Sequence, residues 1–508
     1  MAYVLGVDVG TTGARALLVD ERGGVVAGAT AEYPLYTPRP QWAEQEPEDW
    51  WQGCVTAIRR LLSEARVRPS EIAAMGLSGQ MHGVVLLDQA DQVLRRSIIW
   101  ADQRSQAQCD WITERIGAER MIRRTLNPAL TGFSAPKLLW IRDNEPETFA
   151  KARRFLLPKD YVRFMLTGEF ASEVSDASGT ALFDVRARDW AWDVIDDLEL
   201  PRQLVPPVFE SPVVTGRVSA SAAEATGLPV GLPVVGGGGD QAAGAVGNGI
   251  VDTGIISSTI GTSGVVFAFT DEPKLDPQGR LQTFCHAVPG KWHVMGVTQG
   301  AGLSLRWFRD NFAAAELAVA ASTGMDAYDL LAREATRAPA GCEGLLWLPY
   351  LMGERAPILD PQARGVLFGV TARTDRAMVI RAIMEGVAYS LRDSLEIMRQ
   401  EMNIPVHEAR ASGGGARSQL WRQIQADVFG MEMSLLHVSE GPAYGAALLA
   451  SVGAGIYSSV PEACAATIRV VERLEPGPDR AVYERLYPLY RGLYPVLKDS
   501  FREVARLV

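Results

Sequence analysis

The strongest constraint on the fold is a short pattern that the chain carries twice. Val4-Leu5-Gly6-Val7-Asp8-Val9-Gly10-Thr11-Thr12-Gly13 near the N-terminus is matched by Ile255-Ile256-Ser257-Ser258-Thr259-Ile260-Gly261-Thr262-Ser263-Gly264. Each copy is a β-rich run, a Gly-Thr-Thr/Ser-Gly turn and a second β-rich run, Ala14 to Val19 in one and Val265 to Phe269 in the other. Glycines at both ends of such a turn predict positive φ and a close approach of backbone N–H groups and hydroxyls to a bound anion. Two loops of this kind predict two lobes that share one phosphate-bearing ligand across a cleft and close over it.

In the first copy, period-two alternation sets Leu5, Val7 and Val9 on one face and Val4, Gly6 and Asp8 on the other. A carboxylate beside a phosphate loop repels the phosphates unless a cation stands between them, so Asp8 predicts Mg²⁺ held through water. Read by itself, the segment is equally an ordinary Gly-rich hairpin with an Asp at its exposed end. The second copy has no such acid, so the two lobes are not equivalent.

With 508 residues the chain exceeds what one core supports and suits two lobes. A net charge of −10 and a pI near 5.3 argue against a nucleic-acid partner or an anionic membrane surface, so an anionic ligand must be held by local loops. Cys54, Cys109, Cys285, Cys342 and Cys464 are scattered without a C-x-x-C pair and read as reduced thiols of a cytoplasmic protein. The first apolar run has no basic leader and is interrupted by Asp8, which reads as a buried strand, not a signal peptide. No stretch reads as a bilayer span.

Further along, Glu46-Pro47-Glu48-Asp49 signals a helix start before Trp50-Trp51 and an amphipathic stretch to about Leu62. The strand Ala74 to Ser78 runs into Gly79-Gln80-Met81-His82-Gly83, a polar loop at a sheet edge, followed by a strand from Val84 to Leu87. The lobe boundary is expected between Asn248 and Gly254. Arg376 to Arg399 has helical periodicity, and Gly413-Gly414-Gly415-Ala416 feeds a helix with Trp421, Ile424, Gln425 and Val428 on one face. Such a turn is either a nucleotide seat or a tight packing turn. The run from Ala481 onward reads as terminal helices with an aromatic face. Alternating strands and helices predict α/β lobes with mixed sheets. A Walker loop and a G-x-G-x-x-G fingerprint are both missing, because Gly290-Lys291 is followed by Trp292 and the Gly236–Gly239 run has the wrong spacing.

Four glycines, Gly236 to Gly239, strip side chains from the approach to Asp240, and small residues follow it. An Asp there is either a helix N-cap or a general base at a cleft floor, as phosphoryl transfer to an alcohol requires.

These segments, in order, resemble the FGGY carbohydrate kinases. The resemblance rests on Asp8-Val9-Gly10-Thr11-Thr12, Gly79 to Gly83, Leu157-Pro158-Lys159-Asp160-Tyr161, Ser175 to Thr180, Gly238-Gly239-Asp240, Gly261 to Gly264 and Gly413 to Ala416. It implies two ribonuclease-H-like lobes of the actin, Hsp70 and sugar-kinase type, spanning 1–248 and 249–508, that close on ATP and a sugar. It further implies Asp240 as the catalytic base and Met81 and His82 as sugar contacts, with Gln80, Asp102, Arg104 and Gln241 completing a polar wall. Asp8 falls at the metal-associated position, Thr11 and Thr12 on the first phosphate loop, and Gly261 and Thr262 on the second. Gly414, Gly415 and Ser418 fall at the adenine-side turn, and Trp307 at a nucleotide-side tryptophan. The implied cofactors are ATP and Mg²⁺, and a homodimer is common among similar proteins. The Gln80-Met81-His82 loop is similar to that of members that phosphorylate D-xylulose at its 5-hydroxyl, and differs from the Arg-Glu loop of members acting on glycerol. Ala101-Asp102-Gln103-Arg104 and Gln241 depart from many relatives, which have Asn at the positions of Ala101 and Gln241. Other ketoses or polyols, such as ribulose or glycerol, and a non-kinase actin-like ATPase are the alternatives. A chaperone of this architecture would need a further peptide-binding domain.

Overall fold

The computed structural model describes residues 2–507. Two seven-stranded mixed sheets form its two layers of core. The first contains β1 (Tyr3–Val9), β2 (Gly13–Asp20), β3 (Val25–Glu32), β4 (Ile72–Gly79), β5 (Val214–Arg217), β6 (Pro233–Val235) and β7 (Gly238–Gly239). The second contains β8 (Gly254–Ile260), β9 (Gly264–Thr270), β10 (Gln282–Cys285), β11 (Trp292–Thr298), β12 (Val406–Ser412), β13 (Glu432–Leu436) and β14 (Val470–Leu474). Helices that matter here are α1 (Pro47–Glu64), α2 (Asp240–Gly247), α3 (Ala301–Phe312), α4 (Arg376–Glu396), α5 (Gln419–Phe429), α6 (Gly441–Gly453) and α7 (Arg480–Leu507).

The sheets repeat one plan. In the first the order is β5-β6-β4-β1-β2-β3, with β7 also paired to β4; in the second it is β10-β11-β9-β8-β12-β13-β14. An antiparallel run of three strands, β1-β2-β3 or β8-β9-β11, is followed by a strand parallel to the first, β4 or β12. The duplicated sequence pattern is therefore the first hairpin of each duplicated sheet.

Local chemistry explains the elements. Pro47 opens α1 and Glu48 and Asp49 complement its dipole, while Trp50, Cys54, Ala57, Ile58 and Leu61 recur at helical spacing and are buried. The glycines of the two hairpin turns correct the sequence expectation, because Gly10, Gly13, Gly261 and Gly264 all lack positive φ. Lack of space requires glycine at positions 13 and 264 instead. A Cβ on Gly13 would stand 2.6 Å from the Ala31 carbonyl oxygen, and one on Gly264 would meet Thr298, Leu391 and Ala301 at 2.8–3.0 Å. The C-terminal aromatic run also differs from expectation, forming one helix, α7, despite Pro488 and Pro495 inside it. Packing outweighs the helix-breaking tendency: Tyr483, Tyr487 and Tyr490 are buried, and the hydroxyls of Tyr483 and Tyr487 donate to Glu385 (2.8 Å) and Asp393 (2.7 Å) of α4.

The lobes are joined by a helix pair. α6 belongs to the second half of the sequence, yet it lies against β1 and β4 of the first sheet and against α2. Contact is almost backbone to backbone: a Cβ on Gly445 would be 1.8 Å from the Ala243 oxygen, on Gly6 1.9 Å from the Ala443 oxygen, and on Gly76 2.2 Å from the Ala446 oxygen. On another side, the Asn127 side chain imitates a strand, donating from Nδ2 to the Thr283 oxygen (2.8 Å) and accepting the Thr283 N–H (3.1 Å) on β10. All five cysteines are free and buried. Among the described residues, no helix is long and apolar enough to cross a membrane.

Candidate active site

Parallel pairing sets the C-terminal ends of β1, β4 and β7 side by side. Asp8 and Val9 lie opposite Ser78 and Gly79, and Gly238 and Gly239 flank the same two residues on the other side. Three adjacent strand ends thus deliver Asp8 with the 10–13 loop, the 80–82 loop and Asp240 to one place, the usual ligand-binding edge of such sheets.

Asp240 is the first residue of α2, with Gly239 at the N-cap and no side-chain cap bond. Its Oδ1 accepts only the adjacent Gln241 N–H, at 2.7 Å. Burial, then the charge of Asp8, pushes its carboxyl up to about 7, while the Gln241 hydrogen bonds oppose the rise. The capping alternative therefore gives way to a partly buried carboxylate with capacity to accept a proton near neutral pH. A side chain at Gly239 would come within 2.9 Å of Met81, so Met81 packs directly beside this turn.

The turn is braced from behind. The Gly239 N–H donates to Ser175 Oγ (3.1 Å), which donates to Glu173 Oε1 (2.8 Å). Fully buried Lys159 binds Asp160 at 2.6 Å and lies 3.7 Å from Glu173 and 3.6 Å from Asp176. One buried cation among three buried acids leaves excess negative charge. Burial raises the Asp176 carboxyl well above its ordinary range, and Asp160, Glu173 and Asp240 add to the rise against the pull of Lys159.

Asp8 Oδ1 is buried without a hydrogen-bond partner. Burial pushes this carboxyl up to about 6, with Ser78 pulling the other way. A carboxylate with an orphaned oxygen, whose charge raises the ionisation cost of the second carboxyl, fits a hydrated Mg²⁺ that takes its remaining ligands from phosphates and water. Among the described residues no cluster of three His, Cys, Asp or Glu could hold a metal, so an all-protein cage is not present.

His82 has φ +72°, and its backbone is pinned where its carbonyl accepts from Lys137 Nζ (2.9 Å) and Ser134 Oγ (3.1 Å). Its ring packs against Phe133, with centroids 4.8 Å apart, and faces Phe284 of β10 at 6.3 Å. Nδ1 lies 2.7 Å from the Gly179 carbonyl oxygen. A carbonyl only accepts, so Nδ1 carries the proton and Nε2 presents a lone pair. Burial, then the positive charge of Lys137, lowers the ring to about 3 despite the Gly179 bond, so it is neutral at physiological pH.

Gln80 turns toward the first hairpin loop. Its Nε2 donates to Gln45 Oε1 (2.7 Å) and the Gly10 oxygen (3.3 Å), while Gln45 Nε2 donates to the Thr11 oxygen (2.8 Å). The Thr11 hydroxyl accepts from the indole of exposed Trp100 at 3.0 Å. Asp102 and Arg104 form a buried pair: Asp102 accepts from Ala43 N (2.6 Å) and Arg104 Nη2 (2.7 Å), and Arg104 also reaches Glu44 at 2.7 Å and lies 3.6 Å from the Trp42 ring centre. Their polar atoms are engaged within the protein, and Gln241 is partly buried beside Asp240.

The second loop is seated on α3, whose Gly302 and Leu303 N–H groups donate to the Gly261 (2.8 Å) and Thr262 (3.0 Å) oxygens. Thr12 and Thr262 are the exposed tips of the two hairpins. β8 pairs with β12, placing Thr259 opposite Ser412, so the Gly413–Ala416 turn lies beside the second loop. A Cβ on Gly413 would be 2.6 Å from the Ile260 oxygen, which is why this turn is glycine at φ +74°. Gly414 is exposed, Gly415 packs on Ile260, and Ser418 caps α5 by accepting the Trp421 N–H at 3.3 Å. Trp307 stacks on Trp347 with centroids 5.4 Å apart and meets Phe312 edge-on at 5.2 Å.

One group escapes sequence reading. Lys159 and Asp160 stand in a motif that carries the resemblance, but their place behind Asp240 has no local signal.

Residues 3–247 match the FGGY family of carbohydrate kinases, N-terminal domain, and residues 256–454 match its C-terminal domain. The chain therefore belongs to the FGGY family of carbohydrate kinases. Within it, the chain is 39% identical over 500 residues to a xylulose kinase of Bacillus subtilis, covering 98% of each. A gluconokinase of the same organism is 32% identical, covering 99% of this chain and 98% of the relative. The crystal structure of xylulose kinase from Rhodospirillum rubrum superposes with a TM-score of 0.89 at 32% identity, covering 98% of this chain and 100% of that one.

Proposed function

We propose that the protein transfers the γ-phosphoryl group of ATP to the 5-hydroxyl of D-xylulose, giving D-xylulose 5-phosphate and ADP. The observation that carries this reading is a carboxylate with free acceptor capacity, Asp240, at adjacent strand ends beside the first of two duplicated hairpin loops. The xylulose kinases among its relatives support the choice of sugar. Asp240 takes the proton of the 5-hydroxyl as that oxygen attacks the γ-phosphorus, and the bond to the β,γ-bridging oxygen breaks. Thr11, Thr12, Gly261 and Thr262 hold the phosphates, and Trp307, Gly414, Gly415 and Ser418 line the nucleotide side. Met81, His82 and Gln241 face the sugar, with Gln80 bracing the loop and Asp102 and Arg104 stiffening the wall behind it. Mg²⁺, held through water near Asp8 and by the phosphates, would neutralise charge on the transferring group. On this reading 1–248 is the sugar and catalytic lobe and 249–508 the nucleotide-side lobe, working in the cytoplasm where ATP is supplied.

A coupled assay of sugar-dependent ADP release over pentuloses, hexuloses, polyols and D-gluconate tests the reading. The highest kcat/KM is expected with D-xylulose, and a higher value with glycerol, L-ribulose or D-gluconate would displace it.

The pH profile gives a second check. A base is active only when ionised, and Asp240 is raised to about 7, so kcat/KM should climb with pH through about 7, level off above it, and fall about tenfold per unit below. Removing the like charge in Asp8→Asn should move that limb to lower pH. A flat profile between pH 5.5 and 8 would refute the assignment.

A further inference from the structure

Lys137, near the start of the helix Ser134–Asn144, is fully buried yet makes no salt bridge among the described residues. Lys159, also fully buried, stands among three acids. The Lys137 side chain instead donates to two backbone carbonyls, the His82 oxygen at 2.9 Å and the Gly132 oxygen at 2.5 Å. Burial lowers its ammonium to about 7, and the charge of Asp102 resists the fall. An ammonium taken out of water with no acid beside it is costly, and a neutral side chain would fill the same space at lower cost. What distinguishes a lysine here is the reach of its donors to both carbonyls.

Those two carbonyls belong to one arrangement. Gly132 directly precedes Phe133, and the Phe133 ring is the surface against which the His82 ring packs, with centroids 4.8 Å apart. Lys137 thus ties the backbone of His82 to the turn that carries the support of its ring. His82 needs such a tie, because φ +72° is a region that side chains other than glycine rarely occupy. The far side of the ring is closed by Gly179, whose carbonyl oxygen takes Nδ1 at 2.7 Å and where a Cβ would stand 2.5 Å from the ring. Backbone, ring face and Nδ1 are therefore all fixed, and Nε2 is the ring nitrogen with no hydrogen-bond partner among the described residues. The charge of Lys137, after burial, also disfavours the protonated ring and so preserves the Nε2 lone pair.

We propose that Lys137 is the positioning residue of the sugar site: by holding the His82 carbonyl and the Gly132 turn together it aims His82 Nε2 to accept a hydrogen bond from a sugar hydroxyl. Lys137 itself has no exposed surface and does not touch the sugar. Its contribution is therefore to sugar affinity and passes entirely through His82, while the phosphoryl group and its base are served by other residues. The inference rests on the reading of His82 as a sugar contact given above.

The test is a double-mutant cycle on the full-length protein, comparing wild type, Lys137→Met, His82→Ala and the double variant at saturating ATP. Lys137→Met should raise the KM for D-xylulose by about 5- to 50-fold, as expected for a displaced sugar contact, and leave the KM for ATP within about twofold. In the His82→Ala background the same change should raise the sugar KM by less than about twofold, because the group that Lys137 aims is gone. The unchanged KM for ATP reports that the variants are folded. Where Lys137→Met yields no soluble protein, Lys137→Gln carries the same cycle, being neutral and still a donor, with a smaller rise that again vanishes with His82→Ala. Equal effects of the Lys137 change with and without the His82 ring overturn the inference and leave the function standing. A fall in kcat alone, with the sugar KM unchanged, also overturns it. A wild type that prefers D-gluconate overturns the ketose reading itself, and the cycle is then run with D-gluconate, where equal effects again overturn the role of Lys137.

Discussion

Replacing Asp240 by Asn is expected to lower kcat by about 10²- to 10⁴-fold while leaving ATP affinity within about twofold. Asn keeps the size of the side chain and can still accept the Gln241 N–H that holds Asp240 Oδ1 at 2.7 Å, so the start of α2 should be undisturbed. What is lost is the acceptor for the hydroxyl proton. The loss should also abolish the limb of the pH profile near 7, because the group that titrates there is gone. Steady-state kinetics with D-xylulose and calorimetric titration with ATP measure both parts. Near-normal turnover in Asp240→Asn would remove Asp240 from the chemistry. Weak ATP binding together with weak turnover would instead mark a role in holding the turn.

The second large effect concerns stability. Gly445→Val should destabilise the protein by about 3 kcal/mol or more, seen as a lower denaturation midpoint or loss of soluble protein. A Cβ at this position would stand 1.8 Å from the Ala243 oxygen, and neither atom can rotate away because both belong to helix backbones. Relief requires α6 to part from α2, and α2 begins at Asp240, so any folded remainder should have impaired turnover as well. Gly492→Ala is the matched control: nothing lies within 4 Å of a Cβ there, it sits inside α7, and the change should be neutral or stabilising by about 0.5–1 kcal/mol. Equal midpoints for Gly445→Val and wild type would mean that the helix pair separates at little cost.

Both predictions depend on features of different legibility. The hairpins 3–20 and 254–270, the start of α1 at Pro47 and the isolation of Asp240 behind Gly236–Gly239 could be read from the chain. Each is a property of a few consecutive residues, where alternation, turn chemistry and proline or acid placement act directly on the local backbone. The reason for the loop glycines was not legible in the same way. Positive φ and lack of room leave the same letter in the sequence, and only the approach of Ala31 and Thr298 distinguishes them. Gln80 reads as a sugar contact by its motif, yet its amide reaches Gln45 and the Gly10 oxygen, which requires β1 and β4 to be neighbours.

By itself the sequence determined the duplicated strand-turn-strand units, the two-lobed α/β architecture, the family and the carboxylate offered as base, because these rest on local pattern and on motifs in order. Tertiary structure alone decided that α6 from the second half packs against the first sheet and that Lys159 and its acids stand behind Asp240. Burial, pairing and the absence of pairing depend on which distant segments come within a few ångströms. A carboxylate moved to about 7 or an imidazole to about 3 is a consequence of that environment, not of the residue or its sequence neighbours.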